Sequence, residues 1–125
     1  MGSRALLKSV APQLVVEDVV ATAEFYRDVL GFEINGFWAD PPVYSIVSRG
    51  GVEIHFGRSE RNGTSNSEMR SGSFDLYIWV DDIVQLFEEL TEAGADIVEG
   101  PIKRVYESTE LVVRDRNGYV LVFAA

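Results

Sequence analysis

Two stretches of this chain follow one plan. Asp18 opens "DVVATAEFYRDVLG", which ends at Gly31, and Asp82 opens "DIVQLFEELTEAG", which ends at Gly94. In each, an aspartate stands where a helix N-cap accepts backbone N–H groups, and a glycine stands where a helix stops. The residues that share one side at helical spacing are Val19, Thr22, Ala23, Tyr26, Val29 and Leu30 in the first, and Ile83, Leu86, Phe87 and Leu90 in the second. Each stripe is read as core.

A strand precedes each helix and three follow it. "VAPQLVV" leads the first helix, and "FEINGFW", "VYSIVS" and "VEIHF" come after, separated by Pro41-Pro42 and by Arg49-Gly50-Gly51. Asn35-Gly36 marks a bulge or bend. "SFDLYIWV" leads the second helix; "DIVEGPIKRVY", "ELVVRD" and "YVLVFA" follow, the last two joined through Asn117-Gly118. The order is β-α-β-β-β, twice. Strand runs joined by tight turns argue against a doubly wound parallel sheet. The expected fold class is α+β, a single domain over residues 1–125 with modules at roughly 8–57 and 73–125. Between them, residues 58–72 carry almost no large apolar side chain and read as a mobile linker or lid.

In "GSFDLYIWVDD", Phe74, Leu76, Ile78 and Val80 alternate with Ser73, Asp75, Tyr77 and Trp79. The apolar set buries one face of a strand. The second set is neither plain solvent surface nor plain core, so it must look onto something.

Composition narrows the classes of function. A formal net charge of −9 argues against a nucleic-acid backbone as partner, since that needs clustered Lys and Arg. There is no cysteine, which removes disulfides, thiolate nucleophiles and Cys-based metal sites. No apolar run is long enough for a signal peptide or a membrane span, so a cytoplasmic location is expected. No Ser-His-Asp order, phosphate loop or dinucleotide fingerprint is present.

"LVVEDVVATAEFYRDVLGFEI" and "VVRDRNGYVLVFA" resemble the two most recognisable segments of the vicinal oxygen chelate superfamily, which contains glyoxalase I, extradiol dioxygenases, fosfomycin-resistance enzymes and bleomycin-resistance proteins. The resemblance runs from Val10 to Phe123. It rests on Asp18, Phe25, Tyr26, Leu30, Gly31 and Phe32, and on Asp115, Gly118 and Leu121; Arg116 stands where the family usually has proline. It implies two βαβββ modules whose curved mixed sheets surround a cavity, often completed by a homodimer. The second face of the Gly72–Asp82 strand would line that cavity, with Phe74, Leu76, Ile78 and Val80 on the helix.

Metal-dependent members of the family hold an ion with His, Gln and Glu side chains. Counting from the landmarks, the corresponding positions are Ala11, Ser73 and Val122, none of which offers a useful ligand. Gln13 is the nearest replacement on the first strand, and Glu53 and His55, on one face of "VEIHF", are the remaining candidates. Neither a metal nor another cofactor is expected, and no catalytic residue is assigned. Glu107 or Glu110 could act as a base, but neither has an evident partner.

"LYIWVDDIVQLFEEL" and "GGVEIHF" resemble the bleomycin-resistance group. Those proteins are dimers without catalysis that sequester a cationic, aromatic antibiotic in a groove between subunits. The resemblance implies a small organic ligand held by Trp38, Glu53, His55, Asp75, Tyr77, Trp79 and Glu107, with the rings stacking and the carboxylates supplying charge. Tyr106-Glu107-Ser108 replaces a Pro-Trp-Gly-like turn of that group. Three readings stand side by side: a metal-free binder of an aromatic or cationic compound in a dimer cavity; a metal-dependent lyase or dioxygenase using His55, Glu53 and Gln13; and a protein-interaction module, in which Tyr77 and Trp79 would pack in an interface.

Overall fold

Each half is built as the repeat predicts. In the computed structural model, which describes residues 2–125, strand β1 (Gln13–Val16) leads into helix α1 (Val19–Asp28), and strands β2 (Glu33–Trp38), β3 (Tyr44–Arg49) and β4 (Val52–Arg58) follow. After a short helix α2 (Asn66–Met69), strand β5 (Leu76–Trp79) leads into helix α3 (Ile83–Glu92), followed by β6 (Asp96–Lys103), β7 (Thr109–Arg114) and β8 (Val120–Ala124). Asp18 Oδ1 accepts from the amides of Val20 and Ala21 at 3.1 and 2.9 Å, and Asp82 Oδ1 from that of Gln85 at 3.0 Å. These bonds satisfy amides that the first helical turn leaves without partners. Gly31 and Gly94 stop the helices at φ of +74° and +79°, a region that a Cβ disfavours.

The sheet orders are β1-β4-β3-β2 and β5-β8-β7-β6. In each half the first strand crosses over its helix to pair in parallel with the last, and the other pairs are antiparallel. The bulge expected at Asn35-Gly36 lies between Ile34 and Gly36. Register makes the repeat explicit. Gln13 stands opposite His55 and Tyr77 opposite Val122; Ile46 stands opposite His55 and Val112 opposite Val122. Gln13 and Tyr77 therefore occupy equivalent positions, as do Tyr44 and Glu110.

One face of each sheet packs on its helix. Ser45, Val47, Ile54 and Phe56 are buried under α1, and Leu111, Val113, Leu121 and Phe123 are buried in the second half. Burying a side chain such as Leu30 or Phe56 contributes about 1.5–3 kcal/mol. The halves are pinned together by Tyr26 to Asp115, by Asn117 to Thr22, and by Tyr119 to the carbonyl of Val15. No helix among the described residues is long and apolar enough to cross a membrane.

Two expectations change. The segment between modules was expected to be a mobile linker or lid, but it is tied at several points. Gly63 N–H donates to Val15 O at 2.9 Å, Asn62 Oδ1 accepts from Glu17 N–H, and Ser65 caps α2. The alternation through Phe74 and Asp75 also breaks, because β5 begins only at Leu76. Phe74 does not pack on the helix; it is 41% exposed and stands 5.3 Å from the Tyr77 ring, on the open side. Asp75 turns toward the chain instead and accepts from Ser65 Oγ, Asn66 N–H and Val120 N–H, each at 2.8 Å.

Candidate functional site

The faces turned away from the helices carry the polar and aromatic side chains. On the first sheet, Tyr44, Glu53 and His55 lie beside Gln13. Tyr44 Oη is 2.7 Å from His55 Nδ1, and His55 Nε2 is 2.8 Å from Glu53 Oε2. An ionised carboxylate only accepts, so Nε2 carries the ring proton, Nδ1 is the acceptor, and Tyr44 donates to it. Gln13 Nε2 in turn donates to Tyr44 Oη at 3.3 Å. The Trp38 ring stands edge-on to Tyr44 with centroids 6.2 Å apart. All four hydrogen-bonding groups follow from β-register: residues two apart on β4 share a face, and the strands on either side present Gln13 and Tyr44 to it.

The second sheet shapes a larger hollow of about 710 Å³. Its floor is Val112, Val120 and Val122, and its walls include Phe74, Tyr77 and Tyr106. At its base lies Glu110, 4% exposed. Tyr106 and Tyr77 donate to Glu110 Oε2 at 2.6 and 2.7 Å, and Arg104 Nε donates to Oε1 at 2.9 Å. Arg104 also pairs with Glu99. Burial pushes the Glu110 carboxyl up, but the donors from Tyr106, Tyr77 and Arg104 outweigh it and hold the group below the usual glutamate value. The same bond to Glu110 raises the Tyr106 hydroxyl above the usual phenol range. The Tyr77 and Trp79 rings meet edge to face at 5.1 Å, and Trp79, 76% exposed, borders a smaller groove of about 250 Å³ at the seam with Phe32 and Val52.

The residues singled out from sequence thus divide between two open sheets. Trp38, Glu53 and His55 meet on the first, and Tyr77 and Trp79 on the second. Asp75 is spent on the α2 cap and the start of β8. Glu107 sits on the β6–β7 turn at φ +74°, where its side chain faces Lys103 at 3.4 Å rather than the hollow. Sequence reasoning missed Tyr44, Arg104 and the lining roles of Phe74 and Tyr106. It considered Glu110 only as a base. Tyr44 was within reach of the strand alternation, because it shares a face with Ile46 next to His55.

A family model described as Glyoxalase/Bleomycin resistance protein/Dioxygenase superfamily matches residues 7–123. The chain belongs to that superfamily. "Virulence protein STM3117" of Salmonella typhimurium is 30% identical over 112 residues, 86% of this chain and 76% of that protein. The solved structure of TioX from Micromonospora sp. ML1 superposes with a TM-score of 0.75 at 22% identity, covering 94% of this chain and 97% of that one. A bleomycin-binding protein complexed with bleomycin superposes with a TM-score of 0.73 at 21% identity, covering 94% and 98%.

The metal-dependent branch of the superfamily needs ligands that converge on one point, and the side chains here do not fit such an ion. The register makes Asp75, seven residues before its cap, the counterpart of Ala11; Ser73 is not that counterpart. One of the pair is a methyl group and the other a carboxylate already bound by three donors. Val122 lies on the hollow's floor as an isopropyl group. Both ring nitrogens of His55 are engaged, one by Tyr44 and one by Glu53. Glu53 is placed as the imidazole's partner and not as a second ligand beside it.

Proposed function

We propose that this protein binds a small aromatic compound, neutral or cationic, without a metal and without turning it over, and that two copies pair so that the open face of one chain's second sheet looks onto the first sheet of the other. The observation that carries this reading is the hollow over β5–β8. It has an apolar floor, three aromatic walls, and two carboxylates, Glu99 and Glu110, matched by two guanidinium groups, Arg104 and Arg114. Apolar concavities with a few placed polar groups are where small ligands bind, and ring faces hold aromatic or cationic guests. Pairing accounts for the side chains left uncovered in one copy, among them Trp38, Trp79 and Val98. The likeness to a bleomycin-binding protein supports the ligand class by analogy.

Titration calorimetry with bleomycin and with planar aromatic amines, alongside sedimentation, tests both parts. Saturable binding by a dimer, weakened by Tyr77→Ala, is the expected result. A monomer at working concentration, or a hollow that takes none of these compounds, defeats the reading.

A further inference from the structure

The hydrogen-bonded series on the first sheet does more than shape a wall. It runs from the Gln13 amide to Tyr44 Oη, on to His55 Nδ1, and from Nε2 to Glu53. It lies on the open face, with the His55 and Glu53 side chains 24% and 48% exposed, so it is not needed to satisfy buried polar groups of the core. A hydroxyl hydrogen-bonded to an imidazole that a carboxylate orients is the arrangement by which proteins make a hydroxyl oxygen basic. Here the oxygen is that of Tyr44, a half-buried residue beside the Trp38 ring, and beyond the bond from Gln13 it keeps one lone pair.

We infer that Tyr44, His55 and Glu53 form a proton-accepting relay that ionises an acidic hydroxyl on an aromatic or enolic guest. This rests on the reading above that pairing sets this sheet over an aromatic guest held in the other copy's hollow. The balance is simple. The guest's O–H proton passes to Tyr44 Oη as Tyr44's own proton passes to His55 Nδ1. The products are the guest's oxyanion, an intact Tyr44 phenol that donates to it, and an imidazolium held between Tyr44 and Glu53. No oxidant, metal or second reactant is consumed. Gln13 adds a second donor near the new oxyanion.

The relay also selects a class. Ordinary phenols hold their proton about 3.5 pKa units more tightly than imidazole does, so they stay neutral on contact with it. Phenols with electron-withdrawing substituents, and enols of 1,3-dicarbonyl compounds, are acidic enough to give the proton up. Guests of this class would be bound as anions beside a positive imidazolium, although the protein as a whole carries −9.

4-Nitrophenol is the probe, because its anion absorbs visible light and its neutral form does not; 4-nitroanisole has the same ring and no acidic proton. Both are titrated into the protein at neutral pH, where free 4-nitrophenol is a mixture of its two forms and an ordinary imidazole is largely unprotonated. Nitrogen NMR of the single histidine follows the imidazole in parallel. The expected result has three parts. Bound 4-nitrophenol shows the anion band, His55 becomes doubly protonated on binding, and Tyr44→Phe or His55→Gln removes both signals. Those variants also weaken 4-nitrophenol about tenfold or more, and weaken 4-nitroanisole less. Circular dichroism checks that they fold. Bound 4-nitrophenol that stays neutral, or an anion band without an imidazolium, overturns the relay while 4-nitroanisole binding preserves the aromatic site. Failure of both compounds to bind overturns the aromatic site and the relay with it.

Discussion

The hydroxyl of Tyr26 donates to Oδ2 of Asp115 at 2.7 Å, joining the helix of the first half to the closing hairpin of the second. Oδ1 of the same aspartate accepts from the amides of Asn117 and Tyr119 at 2.8 and 2.9 Å and so holds the hairpin turn. Both residues are buried, Tyr26 completely. Tyr26→Phe leaves one buried carboxylate oxygen without its donor and should cost about 1–3 kcal/mol in chemical denaturation, with the fold and ligand binding retained. An unchanged denaturation midpoint would show that the bond contributes nothing net.

Asp115 also gives a pH signature. Burial raises its carboxyl above the usual aspartate value, and the nearby Asp75 charge adds to this; the donors Tyr26, Asn117 and Tyr119 pull the other way without cancelling it. The folded protein therefore holds this proton more tightly than the unfolded chain does. The group's contribution is fully present below its unfolded value and declines as pH rises through the elevated folded one. Wild type minus Asp115→Asn, measured by denaturation across mildly acidic pH, should fall with rising pH in that window. A difference that rises instead would contradict the assignment.

Glu110 has the opposite sign. Its folded carboxyl lies below the ordinary value, so its contribution is present at neutral pH and is lost as pH falls through the depressed folded value. Glu110→Gln should lower stability at neutral pH and should cost less in strong acid, where the wild-type group is itself protonated. The same change releases Arg104, Tyr77 and Tyr106 from their shared acceptor, so binding of aromatic amines should weaken as well.

Gly100 lies in β6 at φ +99°, where an added Cβ would meet Glu110 O at 2.3 Å. That neighbour is backbone and cannot swing aside. Gly100→Ala should destabilise by more than the roughly 1 kcal/mol of a mild backbone change, and should widen the hollow at Glu110. Thermal unfolding and amine titration read the two effects separately.

Trp79 separates binding from packing. With most of its surface exposed, Trp79→Ala should leave the stability of a single copy within about 0.5 kcal/mol. If the ring contacts guests, quenching of tryptophan emission by bound amines should drop with it. A large loss of stability in the dimer, with binding intact, would place the ring in the subunit interface instead.

What the sequence made legible follows how far each signal reaches along the chain. The two caps, the two glycine stops and the helical stripes are local, and each element lies where its residues place it. The pairing of Glu53 with His55 was also readable, because residues two apart on a strand must share a face. Alternation misled at Phe74 and Asp75, because it was counted beyond the point where β5 begins and the side chains are free to reverse. Glu107, on the β6–β7 turn, was expected to supply charge to a ligand, and Glu110, on β7, was weighed only as a base. Only the left-handed backbone at Glu107 reveals that one carboxylate points out and the other in. Arg104 depends on partners across a turn, which no spacing announces, whereas Tyr44 needed the alternation of β3 to be set against that of β4. The motif residues that carry the family resemblance, Tyr26 and Asp115 among them, support the scaffold and none lines the hollow over β5–β8, which is why they identify the superfamily without naming a ligand.

The duplicated slots have drifted apart chemically. Where Gln13 meets Tyr44 in one half, Tyr77 meets Glu110 in the other, and the place of His55 is taken by Val122. A molecule lying between a wall of each kind would touch imidazole and phenol at one end and a carboxylate at the other. Even inside a symmetric pair of chains, such a guest has a head and a tail and only one way to lie.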